Sequence, residues 1–253
     1  MNSYPVFIPS KGRYNNCLTA DMMIKDKMFF FIVIEPQEYE LYKNNYDKKY
    51  LLQLPFSNLN KGVYPARNWI KEYANKNGYK YHWQFDDDMK SLAYYTNGKQ
   101  HKKPSSYILP LIENFVDRYK NIAIASITSS AFAFSKKTPY GLNKMVYGCF
   151  LYKSNLPYNF RLKLGNDTDM SLQVLEGGWC TVAMYAFVFN TQPLGTGKGG
   201  NDTMYADNGR QTRANALKNN FPHLPIKVTT RFGRPHHDLS QVWKTYKQQL
   251  IKK

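Results

Sequence analysis

Cysteine is scarce in this chain and scattered where it occurs. Cys17, Cys149 and Cys180 are odd in number, and no two share a CxxC spacing. That argues against a disulfide framework and a cysteine zinc site, and for a reducing compartment. Long apolar runs are missing too. Met28–Ile34 covers seven residues, against about 20 for a membrane-crossing helix. The N-terminus is polar and soon reaches Pro5, so neither a secretory leader nor a membrane span is expected. Internal repeats and low-complexity tracts are absent. The shortage with most consequence is of negative charge: 18 acidic residues stand against 35 basic ones, a formal charge of +17. Such an excess implies a polyanionic partner, nucleic acid before membrane.

The acids that remain are not spread evenly. Residues 1–88 hold 12 basic and 10 acidic side chains, residues 89–163 hold 12 and 2, residues 164–197 hold none and 3, and residues 198–253 hold 11 and 3. Two acidic islands therefore stand in a basic chain, at Asp86–Asp88 and Asp167–Glu176. This suits an enzyme acting on a polyanion better than a passive binder. A length of 253 residues, 43% hydrophobic and 16% aromatic, allows one well-packed α/β domain or two small ones.

The first island closes the run Trp83-Gln84-Phe85-Asp86-Asp87-Asp88. A buried strand that ends in acids delivers them to the rim of a parallel sheet. Three adjacent carboxylates repel, and a hard cation, Mn2+ or Mg2+, relieves that repulsion, with one or two of them as ligands and a diphosphate completing the shell. A solvated acidic turn is the plain alternative. In the second island, Asn166 or Asp167 caps a helix that Gly177-Gly178 stops. Asp167 and Asp169 then lie at its positive end, where one of the two acids is surplus to capping and can serve as general base or orient an acceptor.

Tyr4–Ile8 reads as a first strand, and Pro9-Ser10-Lys11-Gly12-Arg13 leaves it with groups able to meet nucleotide phosphates. Phe29–Ile34 reads as a central parallel strand, Pro36–Tyr50 as a helix over it, and Tyr50–Leu54 as a short strand. A helix then begins near Pro65 with Arg67 and Asn68 in its first turn, placed to clamp a phosphate or to hold the acidic loop. Lys90–Ser106 reads as a mobile basic loop over the crevice. Ile108–Tyr119 reads as a helix, Ile122–Ile127 as a strand, and Phe132 and Phe134 alternate with small residues after it. Val146–Tyr152 reads as a strand interrupted by Gly148, where a sugar, an acceptor or a bulge would explain the glycine. Cys180–Phe189 is a long apolar strand. Asn190–Tyr205 carries four glycines around Lys198 in a spacing that is not Walker A; it reads either as a loop closing over a donor, with Lys198 near a leaving diphosphate, or as a linker. Asp207–Asn220 is a helix with Arg210 and Arg213. Ile226–Phe232 is a late strand ahead of Arg231, Arg234, His236 and His237, of which at most one histidine reaches a metal. Leu239–Lys253 reads as a basic helix.

Taken in order, Pro9-Ser10-Lys11-Gly12-Arg13, Ala66-Arg67-Asn68, Trp83–Asp88 and Asn166-Asp167-Thr168-Asp169-Met170 resemble the GT-A fold nucleotide-sugar glycosyltransferases. Within them, the nearest resemblance is to the TET/JBP-associated and bacteriophage DNA glycosyltransferases, which are similar to the base J glucosyltransferase. It spans about residues 4–190. It implies a Rossmann-like, mostly parallel α/β sheet flanked by helices, as a single domain over residues 1–200 with donor groups in 1–90 and acceptor groups in 91–200. A basic C-terminal extension, residues 201–253, would complete the site and touch DNA. It also implies nucleotide contacts from Pro9, Ser10, Lys11, Arg13 and Arg67, metal ligation by Asp86 and Asp88 with Asp87 supporting them or meeting the ribose, and Asp167 and Asp169 nearest the acceptor. A C-terminal histidine ligand would fall on His236 or His237. Asn166 stands where many relatives carry an acid, which leaves open which aspartate is the base.

The expected activity is metal-dependent transfer from a nucleotide sugar, a UDP-sugar such as UDP-glucose, to the hydroxyl of a modified pyrimidine such as 5-hydroxymethylcytosine in phage DNA. The expected setting is the host cytoplasm, with DNA and the nucleotide sugar as partners and neither a membrane nor an obligate protein partner. The rival readings are a GT-A transferase with a protein, glycan or lipid acceptor, and a non-catalytic DNA-binding protein.

Overall fold

The structure, a computed structural model, describes residues 4–192, 209–231 and 233–253. Ten strands form one sheet: β1 (Val6–Pro9), β2 (Phe31–Ile34), β3 (Leu51–Gln53), β4 (Tyr81–Phe85), β5 (Met89–Thr96), β6 (Lys99–Lys102), β7 (Ile122–Ser129), β8 (Tyr140–Leu142), β9 (Cys149–Lys153) and β10 (Cys180–Thr191). Their order is β3-β2-β1-β4-β9-β7-β10-β5-β6, with β8 on β10 as well.

The first four strands run parallel; β1, β2 and β4 are buried almost throughout, with Phe7, Ile8 and Ile32 fully enclosed, while β3 lies at the partly exposed edge. Beyond β4 the sheet changes character. β9 is antiparallel to both β4 and β7, β10 is parallel to β7, and β5, β6 and β8 join antiparallel. The sheet is thus mixed rather than mostly parallel. The reversal at β9 comes from the chain entering that strand at the rim where the first acidic island ends.

Helices cover both faces. α1 (Leu18–Lys25) and α4 (Ser105–Asp117) press Ala20, Met23, Ile108, Leu109 and Ile112 into the largest core, with Trp83 and Phe85 of β4. α3 (Tyr64–Lys76) packs Ile70 and Ala74 on Phe7 and Val33 of the other face. α6 (Asn166–Glu176) bridges two further clusters. Its Met170 and Val174 meet Phe150 and Phe160, and its Leu172 meets Leu217 and Phe221 of the C-terminal part. That part comprises α7 (Gly209–Asn220), the hairpin β11 (Lys227–Arg231) and β12 (Arg234–Asp238), and α8 (Val242–Thr245).

Several segments differ from the sequence reading. Lys90–Ser106 is no loop but the β5–β6 hairpin. Asn97 (φ 48°) and Gly98 (φ 73°) are both left-handed, as the tightest two-residue hairpin turn demands. Pro36–Tyr50 yields only a five-residue helix, α2 (Tyr39–Lys43), between two short 3-10 turns. The C-terminal basic helix is limited to α8. After it the chain extends, and Gln248, Gln249 and Ile251 bond to Asn143, Asn121 and Lys120, so that the tail edges the α4–β7 turn. Among the described residues no helix is long and apolar enough to cross a membrane.

Candidate active site

The carboxyl ends of the parallel neighbours β1 and β4 lie side by side, and the first acidic island follows β4 directly. Its backbone is held from two sides. Asp86 N–H donates to the Gly148 carbonyl (2.8 Å), and the start of α1 clasps the other side. There the Thr19 hydroxyl donates to the Asp86 carbonyl (2.5 Å) and accepts from the Met89 amide (2.9 Å), while the Thr19 amide reaches the Asp87 carbonyl (3.3 Å). Gly148 adopts φ +72°, and a Cβ there would lie 2.9 Å from Cζ of Phe189. What comes close to this glycine is therefore a neighbouring ring. Sequence reading singled out Gly148 but missed Thr19, a fully buried threonine inside an otherwise ordinary helix start.

The three carboxylates have different fates. Asp87 is buried and faces the β1 loop. The Ser10 hydroxyl donates to one oxygen (2.6 Å) and Arg13 bonds the other (2.5 Å), while the Tyr42 phenol lies 2.7 Å from the Ser10 hydroxyl. Asp86 keeps 43% of its side chain open to solvent and receives an Arg67 guanidinium N–H at 2.7 Å. Partial burial, with Asp167, Asp88 and Asp87 adding to it, pushes the Asp86 carboxyl up to about 8 against the pull of Arg67. Burial likewise raises Asp87 against Arg13. Asp88 is half-buried beside them.

Arg67 joins the two acidic islands. From the first turns of α3 its other terminal nitrogen bonds Asp167 at 2.9 Å, one hundred residues further along the chain. The side chain is 4% exposed, its carbon centre sits 4.9 Å from the Phe150 ring and 5.5 Å from the Phe160 ring, and its Nε has no partner among the described residues. Asn68, the next residue, pairs both ways with the backbone of Phe160 and so fixes the approach of the loop before α6. Of the two roles open to Arg67 in sequence, the structure displays the holding of the acidic loop.

α6 places its two aspartates in unlike surroundings. Its N-cap is neither Asn166 nor Asp167 but Gly165, left-handed at φ 78°, with Arg213 of α7 so close that a Cβ would meet its Nε at 3.1 Å. Asp167 is 25% exposed and bonded by Arg67. Asp169 is wholly buried, with Arg161 reaching both its oxygens, at 2.6 and 3.2 Å, and Gln173 and Asn220 donating besides. A carboxylate so enclosed has no free edge for an acceptor, so the surplus acid read from sequence is a packing anchor between α6 and the C-terminal part. Sequence gave no signal for Arg161.

The remaining candidates lie around this centre. Lys11 bonds Glu35 at 2.7 Å, and the Gly12 amide bonds Glu38, which anchors the β1 loop to the segment after β2. On β12 His237 is buried and His236 exposed, the alternation of a strand, and burial with Arg213 and His236 nearby pushes His237 down to about 4. The structure does not gather either histidine with Asp86 and Asp88; among the described residues no three metal-ligating groups converge. Two hard carboxylates one residue apart still fit Mg2+ or Mn2+, which takes one or two protein carboxylates when phosphate oxygens and water supply the rest. Lys198 lies outside the described residues.

The model of the TET-associated glycosyltransferase family matches residues 4–200, which take in the β1 loop, both acidic islands and Arg67. The chain belongs to that family. It is accordingly a glycosyltransferase, with an α/β architecture in keeping with GT-A enzymes. No curated protein matches it. Among solved structures it is similar to a protein of Desulfovibrio desulfuricans G20 named as a nucleotide-diphospho-sugar transferase, at 9% identity and a TM-score of 0.38, over 73% of this chain and 80% of that one.

Proposed function

We propose that this glycosyltransferase takes a sugar from a nucleotide diphosphate, a UDP-sugar, and transfers it to the hydroxyl of a modified pyrimidine such as 5-hydroxymethylcytosine in DNA. The observation that carries the reading is the Arg67 bridge. One buried guanidinium ties Asp86, on the strand end where a diphosphate would sit, to Asp167 on the helix facing it. Donor and acceptor groups thereby share a single rigid link.

In this reading Pro9, Ser10, Lys11 and Arg13 hold the nucleotide, and Asp87 fixes their loop. Asp86 and Asp88 hold Mn2+ or Mg2+, which when bound supplies positive charge to the departing diphosphate. Lys198 is a further candidate for meeting the departing diphosphate, while the separation of His236 and His237 from Asp86 and Asp88 leaves the metal to the carboxylates. In an inverting transfer Asp167 accepts the proton of the acceptor hydroxyl as its oxygen bonds the anomeric carbon and the bond to the diphosphate breaks. Arg67 holds Asp167 in place. The basic excess of residues 89–163, 12 against 2, suits the phosphate backbone of DNA.

A donor screen with Mn2+ on unmodified DNA and on DNA containing 5-hydroxymethylcytosine tests this, read by the mass of the digested nucleosides. A hexose or pentose increment confined to modified DNA and absent in Asp88→Ala is expected. Donor hydrolysis without transfer to either DNA sends the acceptor to a protein, glycan or lipid, and inertness towards every nucleotide sugar overturns the reading.

A further inference from the structure

Phe134 and Phe132 are the most exposed large hydrophobic residues described, at 73% and 59%. They are not loose. Ala133 between them is fully buried against Ala93 and Val188, so the backbone of α5 (Ser130–Ala133) is pinned while both rings are left in water. Phe132 also stands close to the candidate active site. Its ring centre is 6.4 Å from that of Tyr147, which is 6.0 Å from Phe189, the ring that confines Gly148, and the Gly148 carbonyl holds the Asp86 amide. Tyr147 also borders Asp167, whose charge adds to burial in pushing its phenol up to about 12.

The segment that carries the rings is basic along the sequence. Residues 118–166 carry eight basic side chains and no acid. Lys136 and Lys137 follow Phe134 after a single serine, and Lys144 sits near enough to Lys136 and Lys247 that they join burial in lowering its affinity for a proton. Lysines crowded against one another beside bare aromatic rings match a ligand that offers both phosphates and flat π faces. Among polyanions that describes a nucleic acid. A protein acceptor would need acidic groups facing these lysines, and a bilayer would offer no planar surface to a ring held at the mouth of a catalytic crevice.

We infer that Phe132 and Phe134 are a wedge that enters the base stack of the DNA acceptor, with Lys136 and Lys137 on the flanking phosphates, and so presents the unstacked pyrimidine to Asp167. This inference rests on the DNA acceptor proposed above and adds the residues that open the duplex. An enzyme working on a base must take it out of the helix, and an apolar wedge offsets the lost stacking.

The test uses a short duplex with 2-aminopurine beside 5-hydroxymethylcytosine. Wild-type protein raises the 2-aminopurine fluorescence; Phe132→Ala/Phe134→Ala does not, and its kcat/KM on duplex falls about ten- to a hundredfold. On the same strand left single, and in donor hydrolysis, the double variant equals wild type, and Phe134→Trp retains the fluorescence rise. Equal losses on single strand and duplex, or an undiminished rise in the double variant, overturn the wedge while leaving the transfer reaction intact. Donor hydrolysis with neither DNA binding nor DNA transfer overturns both the wedge and the DNA acceptor. A double variant that loses binding to phosphatidylserine vesicles, or loses self-association, with DNA transfer unchanged, assigns the rings to those surfaces instead.

Discussion

Replacing Arg67 with methionine tests whether the two acidic islands are held by one side chain. Methionine keeps most of the apolar stem against Phe150 and Phe160 and removes the guanidinium. Two charge-assisted hydrogen bonds are lost, at 2.7 and 2.9 Å, and bonds to charged groups contribute about 1.5–3 kcal/mol each. Asp86 and Asp167 retain 43% and 25% exposure, so water recovers part of that. A net cost of about 3 kcal/mol is expected, or about 6–12 °C in Tm for a chain of this size, read by urea titration and calorimetry. Arg67→Lys should recover little, because a single nitrogen on a shorter arm lacks the two separated donors that now meet Asp86 and Asp167. Combining Arg67→Met with Asp167→Asn in a double-mutant cycle isolates the bridge, with a coupling of about 1–2 kcal/mol expected. A coupling near zero, or an Arg67→Met protein as stable as wild type, would refute the claim that Arg67 joins the islands.

Three other outcomes follow from the same geometry. The aspartates of α6 should separate. Asp169→Ala, which strips the fully buried partner of Arg161, Gln173 and Asn220 but leaves Arg161 44% exposed, should cost about 1–3 kcal/mol, whereas Asp167→Asn should fold nearly as wild type and lose transfer; equal stability losses in denaturant would contradict the assignment. Gly148→Ala forces a Cβ to 2.9 Å from Phe189 at a left-handed φ, and should lower stability by about 1–3 kcal/mol while displacing the Asp86 loop, seen as a raised KM for the donor. The Asp86 carboxyl, raised to about 8, binds its proton more tightly folded than unfolded. Its contribution therefore favours folding below about pH 4, the unfolded value, and is lost as pH rises through about 8. A divalent ion competes with that proton, so the Tm gain from saturating Mn2+ should be larger above pH 8 than at about pH 6 and should flatten in Asp86→Asn. Equal gains at both pH values would count against Asp86 as a ligand.

The parts of this molecule legible in sequence are those whose signal is local. The parallel strands β1 and β2 announce themselves as continuous apolar runs, β4 as a short aromatic-rich run, and the Asp86–Asp88 turn as the polar end of β4. The Asn97-Gly98 hairpin was equally local, and was missed only because lysine and glycine around it read as loop composition. The antiparallel course of β9 and the sorting of Asp167 from Asp169 were not legible at all. Both depend on partners far along the chain: Asp169 is defined by Arg161 on one side and Asn220 on the other, 51 residues away. No local pattern distinguishes an aspartate that will be enclosed from one that will face a crevice two positions earlier, since on a helix such a pair points in different directions whatever follows.

The two kinds of cation divide the work in a way that explains how so basic a chain keeps an acidic centre. The chain has 8 arginines and 27 lysines. Every carboxylate of the centre that is tied by an ion pair in the site described above is tied by an arginine: Asp87 by Arg13, Asp86 and Asp167 by Arg67, Asp169 by Arg161. A planar fork with fixed donors can satisfy two oxygens or two residues at once and tolerates loss of water better than an ammonium does. Lysine, strongly hydrated and mobile, keeps its value where it stays wet, facing a partner whose phosphates shift in register. Lys11 with Glu35 shows the same rule at the border, for that lysine remains 50% exposed. The acidic islands are thus neutralised from within by a few rigid groups, and the surplus of lysine is left on the outside. There it can draw in a polyanion without pulling apart the carboxylates that must act on it.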